Sequence, residues 1–208
     1  MTTVSTLYGT LSGVEFRSLF SNGKVDGCLV TEPNTLSTPY GELMPQYEAE
    51  DMGRRSVKPL YFYKDGALKS IALQTQTMLT TPIGTIPAEL VSFYKNGTIN
   101  RIFPLDITFS SPLGLLTAKV IGFQFYESGA LKSITLWPGE TLKLPTPVAT
   151  ISVRKGVAFY ESGALRSCEP ARKIEVTTPI GTITAYDNEP NGIHGDINSL
   201  QFYEDGSL

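Results

Sequence analysis

One short pattern, returning six times, limits this chain more than any other feature. Phe62-Tyr63-Lys64-Asp65-Gly66-Ala67-Leu68-Lys69-Ser70-Ile71 recurs from Phe93, from Phe125 and from Phe159. Phe202-Tyr203-Glu204-Asp205-Gly206-Ser207-Leu208 is a shortened copy, and Leu19-Phe20-Ser21-Asn22-Gly23-Lys24-Val25 is a degenerate first one. The turn glycines stand at 23, 66, 97, 129, 163 and 206, in steps of 43, 31, 32, 34 and 43 residues. A fixed period of this length marks one supersecondary element used repeatedly. Asp, Asn or Ser before Gly is the composition of a tight hairpin turn, because Gly supplies a positive φ without steric cost.

A second turn alternates with the first. It reads Thr38-Pro39-Tyr40-Gly41, Thr81-Pro82-Ile83-Gly84, Ser111-Pro112-Leu113-Gly114 and Thr178-Pro179-Ile180-Gly181, with Thr146-Pro147-Val148-Ala149 lacking the glycine. Pro suits the second position of such a turn and Gly the fourth. Two alternating turns predict a continuous up-and-down antiparallel meander of about twelve strands. Helix is excluded, since no segment keeps a 3.6-residue period free of Gly or Pro. The fold class is therefore all-β, one domain over residues 1–208, an open sheet first and a closed barrel second. Long unpaired edges favour closure or pairing with another copy of the chain.

The strands change face midway. Ile86, Ala88 and Leu90 share one parity, but Val91 and Phe93 take the other. Leu116, Ala118 and Val120 switch likewise to Ile121, Phe123 and Phe125. A switch within a strand predicts a bulge or bend, or burial on both faces. Trp137-Pro138-Gly139-Glu140 reads as a bend within a long strand pair.

The composition fits a folded β chain. Hydrophobic residues make up 41% and charged residues 18%, with 17 Lys+Arg against 20 Asp+Glu. That balance disfavours nucleic-acid binding through bulk charge. No apolar run reaches the ~18 residues of a membrane helix, and Met1–Gly13 has neither the basic start nor the apolar stretch of an export signal. A cytoplasmic location is the resulting expectation.

The Phe-Tyr-x-(Asp/Asn/Ser)-Gly-x-Leu-Lys-Ser unit resembles the variant MORN repeats of bacterial proteins. The resemblance covers about ten residues of each copy. It implies stacked antiparallel hairpins, a role as a protein-interaction or membrane-apposed scaffold, and, as in some proteins with these repeats, an antitoxin-like role.

Candidate site residues lie where the repeat is lengthened. The gap from the Pro turn to the next Gly turn is 25 residues in the first and last copies, Gly41 to Gly66 and Gly181 to Gly206, against 13 to 15 between. Polar connections on a rigid scaffold are where binding residues concentrate. The first connection carries Tyr47, Glu48, Arg54 and Arg55, and the second Tyr186, Asp187, Glu189, His194 and Asp196. Asp187, Glu189, His194 and Asp196 suggest a hard-metal loop, but they lack EF-hand spacing and read first as a polar turn. Glu48 to Arg55 reads first as a solvated charge run.

Other features read as structure. Cys28 and Cys168 each fall five residues after a turn glycine, the slot of Ile71, Ile102 and Ile134, and are expected to be buried free thiols. Tyr63, Tyr94, Tyr126, Tyr160 and Tyr203 make a row that serves packing before it serves a sugar ladder. Lys69, Lys132 and Arg166, interrupted by Asn100, form a row expected on a solvated face. No catalytic triad, zinc spacing, Walker loop or dinucleotide fingerprint occurs. The expectation is a non-enzymatic scaffold with a protein partner, without cofactor or metal. A carbohydrate- or ligand-binding module is the alternative, and a hydrolase hidden in the loops is third. The sequence stops just after the last turn, where other copies run on into a strand. Either the array continues beyond it, or Val4–Leu11 supplies the missing strand.

Overall fold

The computed structural model describes residues 2–49, 56–104, 108–110, 117–188 and 197–208. It is all-β and consists of antiparallel hairpins, with nineteen strands among the described residues. The chain divides into two compact units, one of residues 1–81 with 85–105, the other of residues 82–84 with 106–208.

In the first unit the main sheet runs in the order β3 (Val14–Leu19), β4 (Val25–Val30), β7 (Leu60–Phe62), β8 (Leu68–Thr81), β9 (Gly84–Phe93) and β10 (Ile99–Phe103). Two small hairpins accompany it, β1 (Val4–Thr6) with β2 (Gly9–Leu11), and β5 (Leu36–Thr38) with β6 (Gly41–Leu43). In the second unit the order is β12 (Thr117–Phe125), β13 (Leu131–Leu136), β15 (Thr150–Phe159), β16 (Leu165–Pro170) and β19 (Leu200–Gln201). There β11 (Thr108–Ser110) pairs with β12, β14 (Thr141–Pro145) with β15, and β17 (Ile174–Thr178) with β18 (Gly181–Ala185). The sheet is not closed into a barrel: β3 ends it in the first unit and β19 in the second.

The strand number exceeds the expected twelve because the second turn makes hairpins of its own. Val4–Leu11 is one of these, with Val4 opposite Leu11, and so is not a single closing strand. Its turn is Thr6-Leu7-Tyr8-Gly9, a further copy of the Thr turn in which Leu replaces Pro. The hydrogen bonds give the kinship away. Thr6 Oγ1 donates to Gly9 O at 2.7 Å, as Thr38 does to Gly41, Thr146 to Ala149 and Thr178 to Gly181.

The glycine turns are built alike in all six copies. The residue before the turn donates its N–H to the carbonyl after it and accepts the glycine N–H, as in Tyr94 N to Thr98 O (2.8 Å) and Gly97 N to Tyr94 O (3.0 Å). Asn96 Oδ1 then accepts the Thr98 N–H at 2.9 Å, and Asp65, Ser128, Ser162 and Asp205 act in the same way. This is why Asp, Asn or Ser precedes the glycine. The amide that Ala67 directs at Asp65 is also the main cause of its lowered pKa, and the Ser207 amide does the same for Asp205. Trp137–Glu140 is also a four-residue turn, joining β13 to β14, with Glu140 N donating to Trp137 O and Gly139 at φ 87°.

A bulge accounts for the switch of face in β12, and β9 switches likewise. Ile86 and Ala88 are buried on one parity of β9, Val91 and Phe93 on the other. In β12, Val120 faces Leu136 and Gly122 faces Thr135, leaving Ile121 unpaired. A second bulge follows every complete turn. Phe62 faces Leu68 while Tyr61 faces Ser70, so Lys69 is the extra residue. By the same register Asn100, Lys132 and Arg166 are extra in their copies. The basic row is thus a row of bulge residues.

Gly97 has φ +87° and open space where a methyl group would stand, so Gly97→Ala isolates the backbone cost. It is expected to lower stability by about 1–2 kcal/mol in urea unfolding. An unchanged midpoint would show that the left-handed position costs nothing there.

Candidate functional site

Both long connections are rooted on buried polar side chains that the sequence does not advertise. In the first, Pro45 bridges to Leu73, Gln46 N donates to Ala72 O (2.9 Å) and Gln74 N donates to Met44 O (3.0 Å). Gln74 Oε1 accepts the amides of Tyr47 (2.9 Å) and Glu48 (3.3 Å). Gln46 Oε1 accepts the amide of Lys58 (3.1 Å), and its Nε2 donates to Glu48 O (3.2 Å). Both glutamines are buried, and the two ends of the connection converge on Gln46. Tyr47 is half-buried and Glu48 exposed. Arg54 and Arg55 lie outside the described residues.

The second connection is held by a carboxylate. Glu169, on β16, is wholly buried. Its Oε1 accepts the Asp187 amide and its Oε2 the Ser199 amide, both at 2.8 Å. One side chain therefore closes the connection at its start and its end. Such bonds are what make a buried carboxylate tolerable. Asn198, also buried, donates from Nδ2 to Ser167 Oγ at 2.9 Å. Arg154, directly opposite Glu169 across the β15–β16 pair, donates to Asp187 O. Its guanidinium lies 4.5 Å from the centre of the Tyr186 ring, a cation–π distance. Tyr186 and Asp187 are thus brought together by Arg154 and Glu169. Glu189, His194 and Asp196 lie outside the described residues, and among the described residues no three His, Cys, Asp or Glu groups cluster as a metal site would need.

Arg154 reaches this position through a wide bulge. Arg154 faces Glu169 and Val157 faces Cys168, so Lys155 and Gly156 fall between two successive pairs of the register. Lys155, at φ 59°, is the one non-glycine residue with positive φ among the described residues.

The tyrosine row is half-buried within the fold up to Tyr160. The hydroxyls of Tyr63, Tyr126 and Tyr160 donate to the carbonyls of Phe93, Phe159 and Phe202 at 2.8 to 2.9 Å. Lys69 and Lys132 lie over the rings of Tyr63 and Tyr126, at 5.9 and 5.6 Å from their centres. Within the row only Tyr203 is widely exposed, at 67%. In these two copies the basic row is therefore stacked on the tyrosine row.

Cys28 and Cys168 are free and fully buried. Burial pushes the Cys28 thiol up to about 11. Burial, helped by the negative charge of Glu169, pushes Cys168 up to about 12. No protein-family model, curated protein or solved structure matches the chain.

Two measurements follow from these contacts. Glu169→Ala leaves two amides without their buried acceptor and should cost about 3 kcal/mol, with faster hydrogen exchange at Asp187 and Ser199. Protection retained at both amides would remove the clamp. The raised thiol values set a pH window. The folded protein keeps both thiols neutral, whereas unfolded thiols ionise near pH 9. The contribution is full below that value and is lost as pH rises towards 11 to 12. Native thiol labelling at pH 8 should be slow at both cysteines and fast in denaturant; rapid native labelling would contradict their burial.

Proposed function

We propose that the chain is a non-enzymatic repeat scaffold that presents its two long connections to a protein partner. One observation carries the reading. Buried Gln46, Gln74 and Glu169 fix the roots of both connections, so that polar segments are displayed from defined positions. Anchored roots lessen the entropy lost when a segment is ordered on binding, which is what a presenting scaffold requires. The variant MORN resemblance points the same way and adds an antitoxin-like role as a more specific version. A cytoplasmic location belongs to this proposal; among the described residues no helix is long and apolar enough to cross a membrane.

A sugar-binding ladder draws less support. Three of its tyrosine hydroxyls are spent on backbone carbonyls, and two of its rings are covered by lysine.

Cross-linking in extract followed by mass spectrometry tests the scaffold reading. A specific partner should be captured by the native chain. Its yield should fall at least about fivefold with Arg54→Ala/Arg55→Ala or with His194→Ala/Asp196→Ala, the size of change expected when a charged contact worth more than about 1 kcal/mol is lost. A partner retained equally by both variants would place binding elsewhere.

A further inference from the structure

Four Thr hairpins each cover the glycine turn after next. The hairpin at 6–9 covers the turn at Gly66: a methyl group built on Gly66 would meet Leu7 at 3.7 Å, and Tyr8 Oη accepts the Leu68 amide at 3.1 Å. The hairpin at 38–41 covers the turn at Gly97, with Tyr40 Oη accepting the Ile99 amide at 3.1 Å and its ring 5.9 Å from that of Phe93. A methyl group built on Gly129 would meet Pro82 at 3.5 Å, and one built on Gly206 would meet Pro147 at 3.3 Å. The contact is thus described four times, twice within each unit.

Two members of the set are left over. The turn at Gly23 receives no such contact among the described residues. Leu19, which occupies the place of the buried Phe62, Phe93, Phe125, Phe159 and Phe202, is 55% exposed. A groove of about 440 Å³ adjoins the same turn, lined by Val4–Leu7, Gly23–Val25 and Phe62 among others. The opposite partner is the hairpin at 178–181, for which no covered turn occurs among the described residues. Its Ile180, in the place of Tyr8 and Tyr40, is 94% exposed.

We propose that the chain associates head to tail with a second copy of itself, the Thr178–Gly181 hairpin of one copy seating on the Phe20–Lys24 turn of the next. The fit is specified by the contacts already made inside the chain. Ile180 covers Leu19, as Tyr40 covers Phe93. The Ser5 amide on the outer edge of β1 donates to the Ile180 carbonyl, as Ser37 N donates to Tyr8 O at 2.8 Å. The hairpin fills the groove beside Val25. The two surfaces differ, so the contact is heterologous and extends or closes a ring, unlike a two-fold pairing of sheet edges. It goes beyond the partner-binding reading and does not depend on it.

Such a contact is smaller than a standard protein interface, so a dissociation constant of about 10–1,000 µM is expected. Sedimentation velocity on the 22.7 kDa chain across that range should show mass rising with concentration. Leu19→Asp and Ile180→Asp should each remain monomeric alone. Mixed in equal amounts, they should form a dimer and nothing larger, because each variant keeps the surface that the other lacks. Both positions are exposed, so melting temperatures should match the native chain. If a variant melts early, Leu19→Ser or Ile180→Ser replaces it. The proposal is overturned if the native chain stays monomeric at about 1 mM, if either substitution leaves association unchanged, or if the mixture gives no dimer. It is equally overturned if the two variants self-associate alone.

Discussion

In three copies the hydroxyl of the tyrosine at the start of the turn ties hairpin to hairpin. A two-stranded hairpin alone is marginal in water. Here Tyr63, Tyr126 and Tyr160 each donate to the phenylalanine carbonyl at the matching point of another hairpin, about one copy further on. The same residue's backbone closes its own turn, through Tyr63 N to Ala67 O and Gly66 N to Tyr63 O. Its ring supports a lysine from the bulge across the hairpin in two copies. A position that serves turn, tie and packing together is not free to vary with a ligand. That is why Phe-Tyr recurs while the residues around it drift.

How much of this is legible depends on range. Turns and bulges leave local marks. Gly at a recurring spacing gives the hairpins, and the change of parity between Val120 and Ile121 gives the mid-strand bulge of β12. The Thr6–Gly9 hairpin escaped because its proline is Leu7, although the decisive group is the threonine hydroxyl. The basic row reads as a strand face, since nothing at Lys69 distinguishes a bulge residue from a paired one until the register is known. The roots of the connections are the least legible. Glu169 acts on amides 18 and 30 residues away, and Gln74 on amides 26 and 27 residues away. No local pattern separates such a glutamate from one in water.

The two connections use the same physics with different groups. A neutral pair, Gln46 and Gln74, holds the first; a carboxylate holds the second. Glutamine can accept and donate, and Gln46 does both, to Lys58 N and Glu48 O. Glutamate can only accept, so both of its oxygens must face amides, and the segment must present Asp187 and Ser199 together. Charged acceptors make the stronger bonds. The second root is thus the more demanding of the two.

Strain gathers at that root. Lys155 occupies a left-handed conformation where β12 has Ile121 at the matching bulge without one, and such a position costs of order 1–3 kcal/mol. The wide bulge that requires it leaves Arg154 opposite Glu169, where its guanidinium meets both the Tyr186 ring and the Asp187 carbonyl. A plain repeat needs none of this: β12 passes the same point with one extra residue instead of two. Strain that persists is held by its surroundings, and here they are the buried carboxylate, the stacked tyrosine and the clamped connection. The departure from the repeat and the elaborated polar root coincide at one place in the second unit. That coincidence sets the root at Asp187 and Ser199 apart from the root at Gln46 and Gln74.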